Sequence, residues 1–234
     1  VSALTTYSIS ALNSSQLQAM TSLQVSALTT RQVGVLTSLQ VSALETMDVQ
    51  ALKSVQTGVL TSLQVVGLTT EQVPVLGTAQ VAALSVTALQ ALGTDQVGAL
   101  TAGQVSVLTT GQVSVLTTGQ VASLSTVQVG ALTTVQVGAL TTTQVAALET
   151  GDVAVLTTRQ VGVLNSNQIR ALTTAQVVAL TTVQAGALSE THAGALTSAQ
   201  VAVLEVADLA ALGTAQVSAL TTYSISALNS SQLQ

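Results

Sequence analysis

Few residues in this chain have the chemistry to catalyse or to bind. His192 is the single imidazole among 234 residues, and Glu190 stands two positions before it. A general base or a metal ligand needs partners, and one carboxylate so placed does not supply them. His192 is therefore expected to serve as a polar group at a helix start. Six of the nine acidic residues fall in three Glu-x-x-Asp boxes: Glu45–Asp48, Glu149–Asp152 and Glu205–Asp208. Clustered carboxylate oxygens attract hard cations, so these boxes are the Ca2+ candidates. Each offers only two carboxylates and lacks the spacing of an EF-hand loop. They are weak candidates, and the leading expectation is a substituted helix cap, with the acids at the positive end of a helix dipole. On that expectation there is no metal and no cofactor. Thr and Ser are abundant, but a nucleophile needs a base and an orienting acid. One His cannot provide these at many sites. Gly103, Gly111 and Gly119 recur in one column of the repeat described below without forming a phosphate-loop motif. No catalytic residue is expected, and the chain reads as a non-enzyme.

An octapeptide must position whatever these residues do. Leu stands at position 4 and recurs in every octad to Leu228, 29 sites in all, with Met20 as the one exception. The unit is Val-x-Ala-Leu-Thr-Thr-x-Gln, seen clearly in residues 129–136. Its eighth column is Gln at 22 sites; Ser8, Asp48, Ala88, Asp152, His192, Asp208 and Ser224 fill the others. The first column is aliphatic, with Thr57, Ala185 and Ala193 as its weak members. The second and seventh columns vary freely. Residues 1–18 reappear unchanged as 217–234, an offset of 216 or 27 octads. Residues 1–234 therefore read as one continuous octapeptide solenoid. Residues 1–216 read as one tandem block and 217–234 as the start of the next, and Val1 is expected to lie inside a longer protein.

Thr and Val favour strands, so a β-solenoid is the alternative. On a strand, however, successive side chains alternate faces, and neither face would be uniformly core. On a helix each residue advances about 100°. Over Thr-Thr-x-Gln-Val-x-Ala-Leu, the Gln, Val and Leu then share one arc, and the two variable columns lie opposite. The first Thr stands three positions before Gln, which is a capping box. Asn13, Ser85, Ser125, Asn165, Ser189 and Asn229 replace that Thr and are also good caps. A cap in every octad means a new helix in every octad. The expected fold is all-α: a solenoid of very short capped helices, one per octad, joined by a corner of essentially one residue. Such helices are unstable alone and must stack. Three octads would close a triangle, and 27 octads divide into nine such triangles. Pro74 lies in a helix body, where it removes a backbone hydrogen bond and predicts a local kink.

Composition narrows the partners. Charged residues are 6%, and four Lys plus Arg against nine Asp plus Glu give a net charge of −5. A phosphate backbone needs a cationic surface, so nucleic acid is not expected. Cys is absent, which removes disulfides and thiolate metal sites. Mean hydropathy is +0.64. Even so, Thr and Gln interrupt every apolar run before the ~20 residues a spanning helix requires. Leu23, Leu39, Met47, Val55 and Leu63 occupy the outward seventh column within six octads. They suggest an apolar stripe for self-association, or else partial burial where helices join. The clear aromatic anchor for any ligand is Tyr7, recurring as Tyr223.

The run Leu-Thr-Thr-x-Gln-Val-x-Ala-Leu resembles the opening helix of TAL-effector DNA-binding repeats. Those repeats are far longer, and their base-reading residues have no counterpart here, so their function is not implied. Over its whole length the chain resembles long bacterial surface or secreted adhesin-like proteins built of the same octads. That resemblance implies an extracellular or cell-surface location and a stalk-like or fibre-forming role. The leading expectation is a structural rod or filament that associates with itself. The alternative is a solenoid or adhesin stalk presenting a groove to a peptide or glycan, with the ligand unknown.

Overall fold

A computed structural model describes residue 1 and residues 3–233. Ser2 and Gln234, which belong to the duplicated ends, lie outside the described residues. The described residues form 27 α-helices and no strand, which removes the β alternative. Each helix is one short turn or little more, as in Ser54–Thr57, Thr126–Gly130 and Thr134–Ala139. The chain divides into two compact units, Val1–Leu124 and Ser125–Gln234.

Within each unit the helices stack three octads apart. In the first, Ser22–Ser26 packs on Thr46–Ala51, and Ser62–Val65 packs on Val86–Ala91. In the second, Ser166–Ala171 packs on Glu190–Ala195, and Glu190–Ala195 packs on Thr214–Ala219. One coil is therefore three octads. The corner between helices is wider than the expected single residue. Leu140 ends its helix extended at φ −59°, ψ 138°, and Thr141 caps the next at φ −73°, ψ 162°. Two extended residues turn the chain, and no described residue adopts a positive φ.

The Val and Leu columns form the core of each unit; Leu132 is 4% exposed, whereas Val135 in the seventh column is 68% exposed. Thr57, a polar member of the first column, is fully buried, and its hydroxyl donates to the carbonyls of Ser54 at 3.0 Å and Gln80 at 3.1 Å. The second column is less free than its variability suggested. A Cβ at Gly186 or Gly194 would press on the carbonyl of Ala211 or Ala219 in the next coil. Arg170, in the same column, instead donates to Ala195 O at 3.3 Å. At Gly67, in the third column, a Cβ would run into the Ser38 carbonyl below it.

Pro74 has the expected local effect. Residues 70–75 are turns where other octads have a helix. The coil nonetheless continues, because Thr69 N–H still donates to Gln72 Oε1 at 2.9 Å and Gln72 N–H to Thr69 Oγ1 at 3.1 Å.

Candidate functional site

The feature that repeats most faithfully is the corner, and its central group is the Gln amide. In the capping box at Thr133, Gln136 N–H donates to Thr133 Oγ1 at 3.2 Å. Thr133 N–H donates to Gln136 Oε1 at 2.7 Å. This satisfies two of the orphan N–H groups at the helix start. The returning Gln bond survives where the cap residue has no useful side chain, as at Gly93, whose N–H donates to Gln96 Oε1 at 2.7 Å.

The other half of the amide does something that local spacing does not announce. Gln104 Nε2 donates to the carbonyls of Val73 at 2.9 Å and Leu76 at 2.7 Å, both in the coil below. Gln168 reaches Val137, Gly138 and Leu140 at 3.4, 3.3 and 2.7 Å. Gln200 reaches Ile169 and Leu172 at 2.8 and 2.7 Å. These carbonyls end an octad in the coil below; those of Val73, Val137 and Ile169 already accept the N–H of Leu76, Leu140 and Leu172 at 3.2 Å, and the amide adds a second donor to each. One buried amide thus caps the start of its own helix with its oxygen and the end of another with its nitrogen. A signal for this was present: the eighth column never contains Glu, although a capping box accepts Glu as readily as Gln. Only the amide carries both an acceptor and a donor.

His192 reproduces both halves with a ring. Ser189 N–H donates to Nδ1 at 3.3 Å, and His192 N–H donates to Ser189 Oγ at 3.1 Å. Nε2 lies 2.7 Å from Leu164 O, so Nε2 carries the proton and donates. Both ring nitrogens are engaged. Ser224 keeps part of the pattern, donating to Leu196 O at 3.0 Å.

The three acidic boxes lose the donor. Asp152 Oδ2 accepts from Glu149 N–H at 3.0 Å. Burial pushes its carboxyl above the usual value of 3.8, against the lowering effect of that hydrogen bond, and the nearby Glu149 charge raises it further. Asp48 Oδ1 accepts from Ser22 Oγ–H at 2.8 Å. Asp48 Oδ2 and Asp208 Oδ2 are buried without any partner. The boxes do not converge. Glu149–Asp152 and Glu205–Asp208, in one unit, stand seven octads apart, which is not a whole number of three-octad coils. Among the described residues, no three His, Cys, Asp or Glu side chains gather as metal ligands.

The outward residues are distributed otherwise than the sequence suggested. Leu23, Leu39, Met47, Val55 and Leu63 are all exposed, so they are not buried where helices join. The coil period splits them over three ridges: Leu23 with Met47, Leu39 with Leu63, and Val55 on the third. Open clefts lie between stacked corners, one lined by Leu188, Ser189, Glu190, Thr191, Ala215 and Gln216. That lining has no aromatic anchor. Among the described residues no helix is long and apolar enough to cross a membrane.

A corner renewed in most octads by cap and amide makes this chain a tandem-repeat helical solenoid, and a repeat family matches its sequence. The ALTTAQ repeat model matches residues 9–46, 41–78, 73–110, 105–142, 113–150, 145–182 and 201–234. The chain belongs to the ALTTAQ repeat family. Successive matches start a whole number of octads from one another, most often four, so the family window keeps the octad register. An ALTTAQ window of this length is longer than one three-octad coil and spans one Gln hook from carbonyl to amide. The sequence matches no curated protein.

Proposed function

We propose that this ALTTAQ repeat chain is a structural element, not an enzyme, which spans distance as an extracellular or cell-surface rod or fibre and associates with its own copies. The observation that carries the reading is the use of its buried polar groups. The Gln column and His192 are committed to caps and hooks, which leaves them no function beyond holding coils together. Each added coil repeats the same contacts, so length grows without new ones. The outward columns offer apolar side chains such as Leu39 and Leu63. With 6% charged residues, little repulsion opposes side-to-side approach. Repeated weak contacts on a regular array reinforce one another. The low content of Lys and Arg leaves nucleic acid outside this reading. A binding module is less well supported, because the clefts between corners lack aromatic anchors and only one of them, beside Thr157 and Gln160, carries an Arg, Arg159.

Sedimentation velocity over a rising concentration series, with electron microscopy of the same samples, tests the proposal. Growth into elongated assemblies is the expected outcome. A monomer that stays monodisperse at high concentration would refute self-association and leave an isolated spacer.

A further inference from the structure

The corners at Asp48 and Asp208 differ from the Gln corners in a way that asks for a ligand. Asp48 is 3% exposed and Asp208 2%. In each, Oδ2 has no hydrogen-bond partner. The bond from Ser22 Oγ–H to Asp48 Oδ1 shows where the Asp48 carboxylate points. It faces the corner of the coil below, where Met20 precedes the cap Thr21. By the offsets of the Gln hooks, an amide at position 48 would reach the carbonyls of Leu17 and Met20, and one at position 208 those of Val177 and Leu180. Elsewhere an amide N–H serves these carbonyls; here the facing group is a second set of oxygens. Asp is also one methylene shorter than Gln, which opens a gap of about 1.5 Å along the hook.

The charge has no local answer. Glu45 and Glu205 cap these helices in the extended conformation, φ −64°, ψ 152° and φ −66°, ψ 150°, with no side-chain cap bond. Glu149 has nearly the same backbone, φ −69°, ψ 156°, and its charge acts on Asp152. The two carboxylates of the Glu149–Asp152 box are therefore close enough to repel. Neither Asp48 nor Asp208 has a cationic side chain against it: the stacked helices Ser22–Ser26 and Thr182–Gly186 carry no charged residue. A buried carboxylate is retained only with a counter-charge or donors.

We infer that the Glu45–Asp48 and Glu205–Asp208 corners each bind a hard divalent cation of the calcium class, which ties one coil to the next in place of the Gln amide. The donors are carboxylate and carbonyl oxygens with no nitrogen or sulfur, the set that selects Ca2+ over transition metals. Two carboxylates and backbone carbonyls completed by water suit the loose coordination of Ca2+ better than the strict octahedron of Mg2+. Asp152 is the internal contrast, since Glu149 N–H already satisfies its Oδ2. The inference stands whether or not the chain assembles.

The test uses Ca2+ alone. The full chain is stripped with EDTA and titrated with CaCl2, read by calorimetry for stoichiometry and by far-UV circular dichroism for Tm. One ion at each of these two corners and a rise in Tm of roughly 3–6 °C are expected. Asp48→Gln with Asp208→Gln should raise Tm in EDTA, because the amide hook returns, and should abolish the calcium response. If that variant fails to fold, Asp48→Asn with Asp208→Asn provides the same readout. No calcium-dependent rise in the parent chain overturns the inference, as does an equal rise in the variant. A parent chain stabilised by acidification but not by calcium also overturns it, since a proton would then be the ligand.

Discussion

The corners at Gln168 and Asp152 lie two octads apart in the same unit and share a backbone, with caps Asn165 at φ −87°, ψ 168° and Glu149 at φ −69°, ψ 156°. Both return a side-chain oxygen to the N–H of the cap residue, at 2.7 Å and 3.0 Å. Gln168 then spends its nitrogen on three carbonyls of the coil below, whereas Asp152 has no N–H to give. The contrast separates two jobs of the eighth column. Its acceptor makes a helix start, and its donor makes a coil. His192 supports the division, because an unrelated ring that supplies one acceptor and one donor fits the same place. The Asp152 carboxylate keeps the first role, loses the second, and brings a buried acid.

Both corners stand on one kind of apolar core, and the largest expected effect tests that footing. Leu132→Ala should cost ~2–5 kcal/mol in urea unfolding, the range for large-to-small core changes. Val135→Ala, in the next octad position but two and facing outward, should stay within about 0.5 kcal/mol. Equal costs would mean that the inward face is misassigned. The next test converts one corner into the other. Gln168→Glu keeps the acceptor at the same length and removes the donor. It should destabilise by ~1–3 kcal/mol at neutral pH, the cost of buried polar groups left unpaired. A Gln168→Glu chain as stable as its parent would mean that the bonds to Val137, Gly138 and Leu140 contribute nothing.

Much of this architecture was legible because its causes are local. Helix, cap and buried face all follow from relations within one octad, so Leu132, Val129 and the Thr133–Gln136 box could be placed from spacing alone. The three-octad coil was legible only as arithmetic, since no pattern in the variable columns marks it. The amide hook escaped because its partners lie a full coil away, beyond the reach of any local pattern. The absence of Glu from the eighth column was the trace it left. The apolar residues from Leu23 to Leu63 look like one stripe in the sequence for the same reason: neighbours one octad apart sit on successive sides of a coil, and only those three octads apart align. The corner proved wider than expected because the Leu before each Thr is extended too, as Leu140 shows, and nothing in a Leu side chain announces that.

The smallest expected effect isolates the charge at the acidic corner from its geometry. Asp152→Asn replaces the carboxylate by a neutral group of the same size, which keeps an oxygen for the Glu149 N–H. Burial, aided by the Glu149 charge, holds the Asp152 carboxyl above its usual value in the folded chain. The folded state therefore binds this proton more tightly than the unfolded state does. That contribution to stability is fully present below the unfolded value and is lost as pH rises through the folded one. Above the folded value the parent chain carries a buried charge and lacks the contribution, so Asp152→Asn should have the higher Tm there. As the pH is lowered towards the ordinary carboxylate range the parent regains its proton, and the gap between the two melting curves should narrow. Taking the difference between variant and parent removes the titration of the other acidic residues, which the two chains share. A gap that stays constant from neutral to acid pH would show that the substitution acts through hydrogen bonding alone. The acidic corner would then differ from the Gln168 corner only in its missing donor, and its charge would carry no weight in the fold.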